Sequence, residues 1–295
     1  MDVDLATGET TYHCTTNSLP AAIGSDAAKT AHLVLRRIPQ TDTAGFLLGD
    51  NSSPAECATV HITRPFYLAI YEFTQGQANT VFGDTWLPAK LADAAAADPN
   101  LLGAAKPVTG WENYRLRGYG QWPTNDTEGL TSVGSHGLVM RMRELTGLSF
   151  NLPTEAQWEY ACRAGSTGRY PWGDSSSAAV AAKYALVNFG TAEPRPQEVG
   201  MLEPNAWGLY DMIGNVGEMV LTYYVADYWR ATDYVNPRGP AKTATSSYVS
   251  RGYGYSGWWE ATTCFGRGPT DGASVAMGFR LCCNPTPWEN VVEVR

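Results

Sequence analysis

The chain has 295 residues, 44% hydrophobic and 12% aromatic, which excludes a disordered polymer and provides for one large domain or two small ones with a sizeable core. Its 21 Lys and Arg against 29 Asp and Glu give a net charge of −8, which argues against a broad basic footprint for nucleic acid or anionic lipid. Charged residues are only 17%, while 30 Gly and 18 Pro point to a loop-rich architecture.

Residues 1–30 are polar and without clear periodicity, and read as an N-terminal arm or short hairpin beside a body of residues 31–295. The start Met1-Asp2-Val3-Asp4 lacks the basic-then-apolar pattern of a secretory signal, and no run approaches the ~18 apolar residues of a membrane span. The body opens with strands over 32–38, 59–62 and 66–71. Thr74 and Gln77 then have the spacing of a capping box, which predicts a short helix that stops at Gly83. Residues 84–134 mix Gly, Pro, Asn and Asp with scattered Trp and Tyr and read as a long loop packed by its own aromatics.

A helix is expected over 135–147, where Leu138, Met142 and Leu145 share one stripe. A better marked one follows Pro153: Thr154 and Gln157 form a second capping box, Trp158, Ala161 and Cys162 share a face, and Gly165 can close the end. Beyond residue 166 the chain turns to Gly/Pro turns and short extended pieces at 247–250 and 278–282, so the class is α+β with high loop content. Gly252-Tyr253-Gly254-Tyr255-Ser256-Gly257 matches the GxGxxG spelling, but Trp258-Trp259-Glu260 follows where a dinucleotide site needs a helix. The six cysteines show no CxxC spacing and the four histidines are scattered, so neither a zinc ribbon nor a His-rich centre is indicated.

Leu152-Pro153-Thr154-Glu155-Ala156-Gln157-Trp158-Glu159-Tyr160-Ala161-Cys162-Arg163 resembles the signature of the formylglycine-generating-enzyme, or sulfatase-modifying factor, family. Further matches run in order: Leu35-Arg36-Arg37-Ile38-Pro39, Phe66-Tyr67-Leu68-Ala69-Ile70-Tyr71-Glu72, Pro171-Trp172-Gly173, Asn205-Ala206-Trp207-Gly208-Leu209-Tyr210-Asp211-Met212-Ile213-Gly214-Asn215, and Gly278-Phe279-Arg280. The resemblance covers about residues 32–282 and implies an elaborated C-type lectin fold. It implies fold more securely than activity.

In the catalytic members a cysteine pair binds copper, and counting back from Gly278-Phe279-Arg280 places those positions near Gly254 and Trp259. Neither is cysteine, so copper is not expected and no catalytic residue is assigned. The sulfoxide synthases that share this domain take iron ligands from an extra helical bundle that this sequence lacks, so iron is not expected either. Cys264 matches a family position that forms a disulfide with the cysteine of the Glu-Tyr-Ala-Cys helix, here Cys162, so the resemblance implies either a disulfide or two adjacent thiols. A family calcium site maps onto Asp211, Gly214, Val216 and Glu218, whose hard oxygen ligands suit that ion.

Between Tyr248 and Phe265 the composition is Tyr, Ser and Gly with a few Trp, the vocabulary of contact surfaces that gain area from rigid rings at low entropic cost. The variable proteins of diversity-generating retroelements resemble this family in fold and carry their diversified segment just before Gly-Phe-Arg, which here is 247–281. The resemblance implies a non-enzymatic binding protein that displays this segment to a protein or other macromolecular ligand. The expected contact residues are Tyr253, Tyr255, Ser256, Trp258, Trp259, Thr263, Phe265, Arg267 and Asp271. The alternative is an enzyme of the same superfamily with altered chemistry, which requires a pocket with convergent polar or thiol groups near Cys264.

Overall fold

A computed structural model describes residues 1–15, 19, 22–50, 52–53, 57–118, 137–190, 195–230, 233–243, 247–258 and 262–284. In chain order its strands and helices are β1 (Asp2–Asp4), β2 (Thr10–Thr11), α1 (Asp26–Thr30), β3 (His32–Ile38), β4 (Phe46–Gly49), β5 (Cys57–His61) and β6 (Phe66–Ala69). Next come α2 (Gln75–Phe82), α3 (Ala89–Ala97), α4 (Asn113–Arg117), α5 (Leu138–Thr146), β7 (Phe150–Asn151), α6 (Glu155–Arg163) and α7 (Ala178–Tyr184). The remainder is β8 (Gly217–Tyr223), β9 (Asp233–Val235), β10 (Tyr248–Arg251), β11 (Arg267–Thr270), β12 (Met277–Gly278) and β13 (Cys282–Cys283).

Three sheets result: a six-stranded one in the order β2-β1-β3-β6-β13-β7, a four-stranded one β11-β10-β8-β12, and a three-stranded one β4-β5-β9. The α+β class and lectin-type fold therefore stand as expected. Of the two readings of the N-terminus, arm or short hairpin, the hairpin is the one observed, and it is built into the body. Residues 1–12 form the β1/β2 hairpin, β1 pairs with β3, and Met1, Val3 and Leu5 are buried, because an apolar residue at every second position gives the strand one face for the core.

Both capping boxes form, on α2 through Thr74 and Gln77 and on α6 through Thr154 and Gln157. Each satisfies two backbone donors that a helix start otherwise leaves exposed. The expected loop at 84–134 contains α3 and α4; residues 119–134 lie outside the described part. α3 is an alanine-rich segment, the composition with the least entropic cost in a helix, and it buries Leu91 and Ala95 one turn apart.

Two apolar clusters form the core. One includes Trp158, Cys162, Ile70, Val220 and Cys264. The other includes Phe73, Trp111 and Phe279, with the Phe279 ring stacked on both partners at 5.5 and 5.6 Å. Strand β8, buried at every position, runs down the middle of the four-stranded sheet, which is why its sequence lacks a period of two. That strand is the platform against which β10, and through β10 the 247–281 segment, is registered.

Candidate functional site

The platform for 247–281 is held by charge. Glu155 and Glu159 stand one turn apart on α6, both fully buried. Arg251, at the end of β10, reaches Glu159 at 2.7 Å and Glu155 at 3.0 Å, and its other nitrogen donates to the Cys264 carbonyl at 3.0 Å. Arg267, at the start of β11, closes on both oxygens of Glu155 at 2.6 and 3.0 Å. Trp229 donates its indole N–H to the same carboxylate at 2.9 Å. Burial pushes the Glu155 carboxyl up, but Arg251 and Arg267 together hold it below its ordinary value, so it is an anion in the fold.

A second buried lattice closes the segment at its other end. Arg280 of the Gly-Phe-Arg motif grips Glu218 with both forks, at 2.6 to 2.9 Å, and donates to the carbonyls of Ala69 at 3.1 Å and Tyr210 at 2.9 Å. The Trp158 indole donates to Glu218 at 2.7 Å. Burial lowers the pKa of this guanidinium, but Glu218, Glu72 and Asp211 overcome that and raise it.

Both oxygens of Glu218 are taken by Arg280 and Trp158, and Asp211 is turned to the Gly200 amide at 2.7 Å. Arg280 is thus the counter-ion of Glu218, and two of the four residues expected to hold calcium, Glu218 and Asp211, are engaged with protein groups in this structure. Among the described residues no group of three or more His, Cys, Asp or Glu could hold a metal.

Between the two lattices the chain makes the turn 252–258. Tyr253 has φ 55° and is 38% exposed, with Gly266 beneath its ring: a Cβ at Gly266 would lie 2.2 Å from the ring carbon Cε2. Tyr255 is half-buried, its N–H bonded to the Asn215 carbonyl at 2.8 Å; Ser256 is exposed; Trp258 is 60% exposed. Trp259 lies outside the described residues. Phe265 is half-buried beneath Arg169, whose guanidinium is 5.5 Å from the ring centre. Asp271 is exposed and accepts the Ala273 amide at 3.1 Å.

Two expected contact residues belong elsewhere. Thr263 is only 2% exposed, because it enters the core beside Cys264, and Arg267 is committed to Glu155 and to the Val225 carbonyl at 2.8 Å. Tyr253, Tyr255, Ser256 and Trp258 are left as one short stretch of accessible rings and hydroxyls. The supporting carboxylates Glu155 and Glu159 were not singled out from sequence; their spacing of four on a capped helix, facing inward beside Trp158, was the signal available.

Cys162 and Cys264 are both buried and stand side by side as thiols. Burial, and then the neighbouring Cys264, push the Cys162 thiol well above its ordinary value, which favours the neutral thiol. Gly254 packs on backbone: a Cβ there would meet the Ala276 carbonyl at 3.1 Å and the Gly217 nitrogen at 3.2 Å, tighter than an ordinary contact, so a metal-ligating side chain would be crowded here.

A family model for the sulfatase-modifying factor enzyme 1-like domain matches residues 38–285. The chain belongs to that family. The formylglycine-generating enzyme of Streptomyces coelicolor is 31% identical over 177 residues, 55% of this chain and 55% of that enzyme, so the match spans about half of the relative's length. Among solved structures, Treponema denticola variable protein 1 shares the fold with a TM-score of 0.62 at 20% identity, covering 89% of this chain and 97% of that one. PvdO from Pseudomonas aeruginosa does so with a TM-score of 0.61 at 19% identity, covering 91% and 100%. No helix among the described residues is long and apolar enough to cross a membrane.

Proposed function

We propose that this member of the family is a binding protein without catalytic chemistry, which presents segment 247–281 to a protein or other macromolecular ligand. The observation that carries the reading is the contrast within one turn: Tyr253 and Trp258 are 38% and 60% exposed, while the residues that anchor the turn, Arg251 and Cys264, are fully buried. Isolated exposed apolar rings carry no message by themselves, but rings on a rigid, ion-paired platform lose little entropy on meeting a partner. The fold shared with a protein named as variable is compatible with this reading.

An altered enzyme is the second reading, favoured by the kinship with formylglycine-generating enzymes. The crowding at Gly254 and the raised pKa of Cys162 speak against thiolate chemistry there. Incubation of the chain with copper and a cysteine-bearing sulfatase peptide separates the two. The expected mass spectrum contains only unmodified cysteine; conversion to the aldehyde would overturn the proposal.

A further inference from the structure

Away from the turn 252–258, a cleft of about 380 Å³ opens between β4, the end of α6 and the loop around Trp207. Three half-buried aromatic side chains from three different elements line it: Phe46, Tyr160 and Trp207. The Phe46 and Tyr160 centroids are 4.9 Å apart with planes at 39°, and those of Tyr160 and Trp207 are 5.0 Å apart at 75°. The rings therefore form an angled wall rather than a flat stack. They are fixed from behind. The Tyr160 hydroxyl donates to the Gln40 carbonyl at 3.3 Å, and the Trp207 amide donates to Asn205 at 3.0 Å, whose own amide group is tied to the Ala161 carbonyl at 2.8 Å.

The solvent-exposed charge of the cleft is an anion. Asp42 lies exposed in its wall; one oxygen accepts the Ala44 amide at 2.9 Å, and no Lys or Arg among the described residues pairs with it. Arg163 also lines the cleft, but its side chain is buried: Glu159, which Arg251 shares, meets it at 2.8 Å, and the carbonyls of Gly49 and Gly168 accept from it. The C-terminal end of α6, which stops at Ala164 and Gly165, both in left-handed conformation, adds the partial negative charge of a helix end. Burial, and then Asp42, raise the Tyr160 hydroxyl above its ordinary value, so the ring remains a neutral phenol at physiological pH.

Aromatic faces beside an unpaired carboxylate attract a cation whose surroundings are apolar, because the ring quadrupole and the carboxylate act in the same sense while the methylene or methyl groups contact the rings. We propose that this cleft binds an alkylammonium group, the chemistry shared by lysyl side chains and quaternary amines. The inference does not rest on the reading of segment 247–281.

The test is an NMR titration of the full chain with tetramethylammonium chloride against sodium chloride at matched ionic strength, following the indole signals, with Trp207→Phe identifying the Trp207 resonance. The expected result is a saturable shift of that resonance below about 100 mM, weakened about threefold or more in Asp42→Asn, which keeps the oxygen that accepts from Ala44. tert-Butanol, of similar shape but uncharged, should bind about tenfold more weakly. Choline and an acetyl-lysine-amide carrying a free side-chain ammonium then distinguish the sources, the tighter of the two naming the natural one. No saturable shift, equal affinity in Asp42→Asn, or equal binding of the uncharged alcohol would overturn the proposal.

Discussion

Arg251 meets Glu159 at 2.7 Å with both side chains wholly out of reach of solvent, and 92 residues of chain separate them. Without Arg251, Glu159 keeps Arg163 and Glu155 keeps Arg267, but each loses a buried charge-assisted hydrogen bond worth about 1.5–3 kcal/mol. Arg251→Met is therefore expected to lose that much stability in urea denaturation. Asp227→Asn, which breaks an ion pair whose side chains are 66% and 78% exposed, is expected to leave the midpoint unmoved. Equal effects of the two would mean that the buried lattice is not what holds the turn.

The same frame divides the segment into residues that tolerate change and residues that do not. Tyr253→Ala and Trp258→Ala should each shift stability by no more than about 0.5 kcal/mol, since both rings are exposed. Thr263→Tyr, which forces a ring into a core position, should lose about 1–3 kcal/mol. Urea midpoints of the three purified variants give the comparison.

Much of the fold was legible because its signals are local. Thr74 with Gln77 and Thr154 with Gln157 announce helix starts by spacing alone, and both helices form where that spacing places them. What was not legible depends on pairings across the chain. Nothing near Arg267 says that it will meet Glu155, 112 residues away, so it read as a surface contact. Thr263 and Tyr253 could not be sorted into inside and outside because a turn has no period to read. Glu218 shows the same limit: it stands near Asp211 and Gly214 in sequence, while the guanidinium that takes it arrives from the far end of the segment.

Asp211 offers a pH test with a definite sign. Burial lifts its carboxyl to about 6, above the ~3.9 of an unfolded chain. Its contribution to stability is thus fully present below about pH 4 and is lost as pH rises through about 6. Asp211→Asn removes this dependence and suits the left-handed φ of 54°. Denaturation curves between pH 4 and 7.5 should show the variant gaining on the parent by on the order of 2–3 kcal/mol. Parallel pH profiles would rule the assignment out.

Thiol accessibility reports on the pair under the turn. Cys14 is exposed, whereas Cys162 and Cys264 are buried. Under reducing conditions, iodoacetamide is expected to label Cys14 in the native chain and to reach Cys162 and Cys264 only after unfolding, as read by peptide mass mapping. Native labelling of Cys162 at a rate like that of Cys14 would contradict the raised thiol pKa.

The central claim concerns what segment 247–281 is for, and the most direct measurement is deep sequencing of its codons across the source population together with the flanking DNA. The account predicts a near-copy of these codons nearby, with differences that fall on accessible residues such as Tyr253, Tyr255 and Ser256 and spare the buried Arg251 and Cys264. A uniform segment with no copy, or variation spread equally over buried and exposed positions, would contradict it.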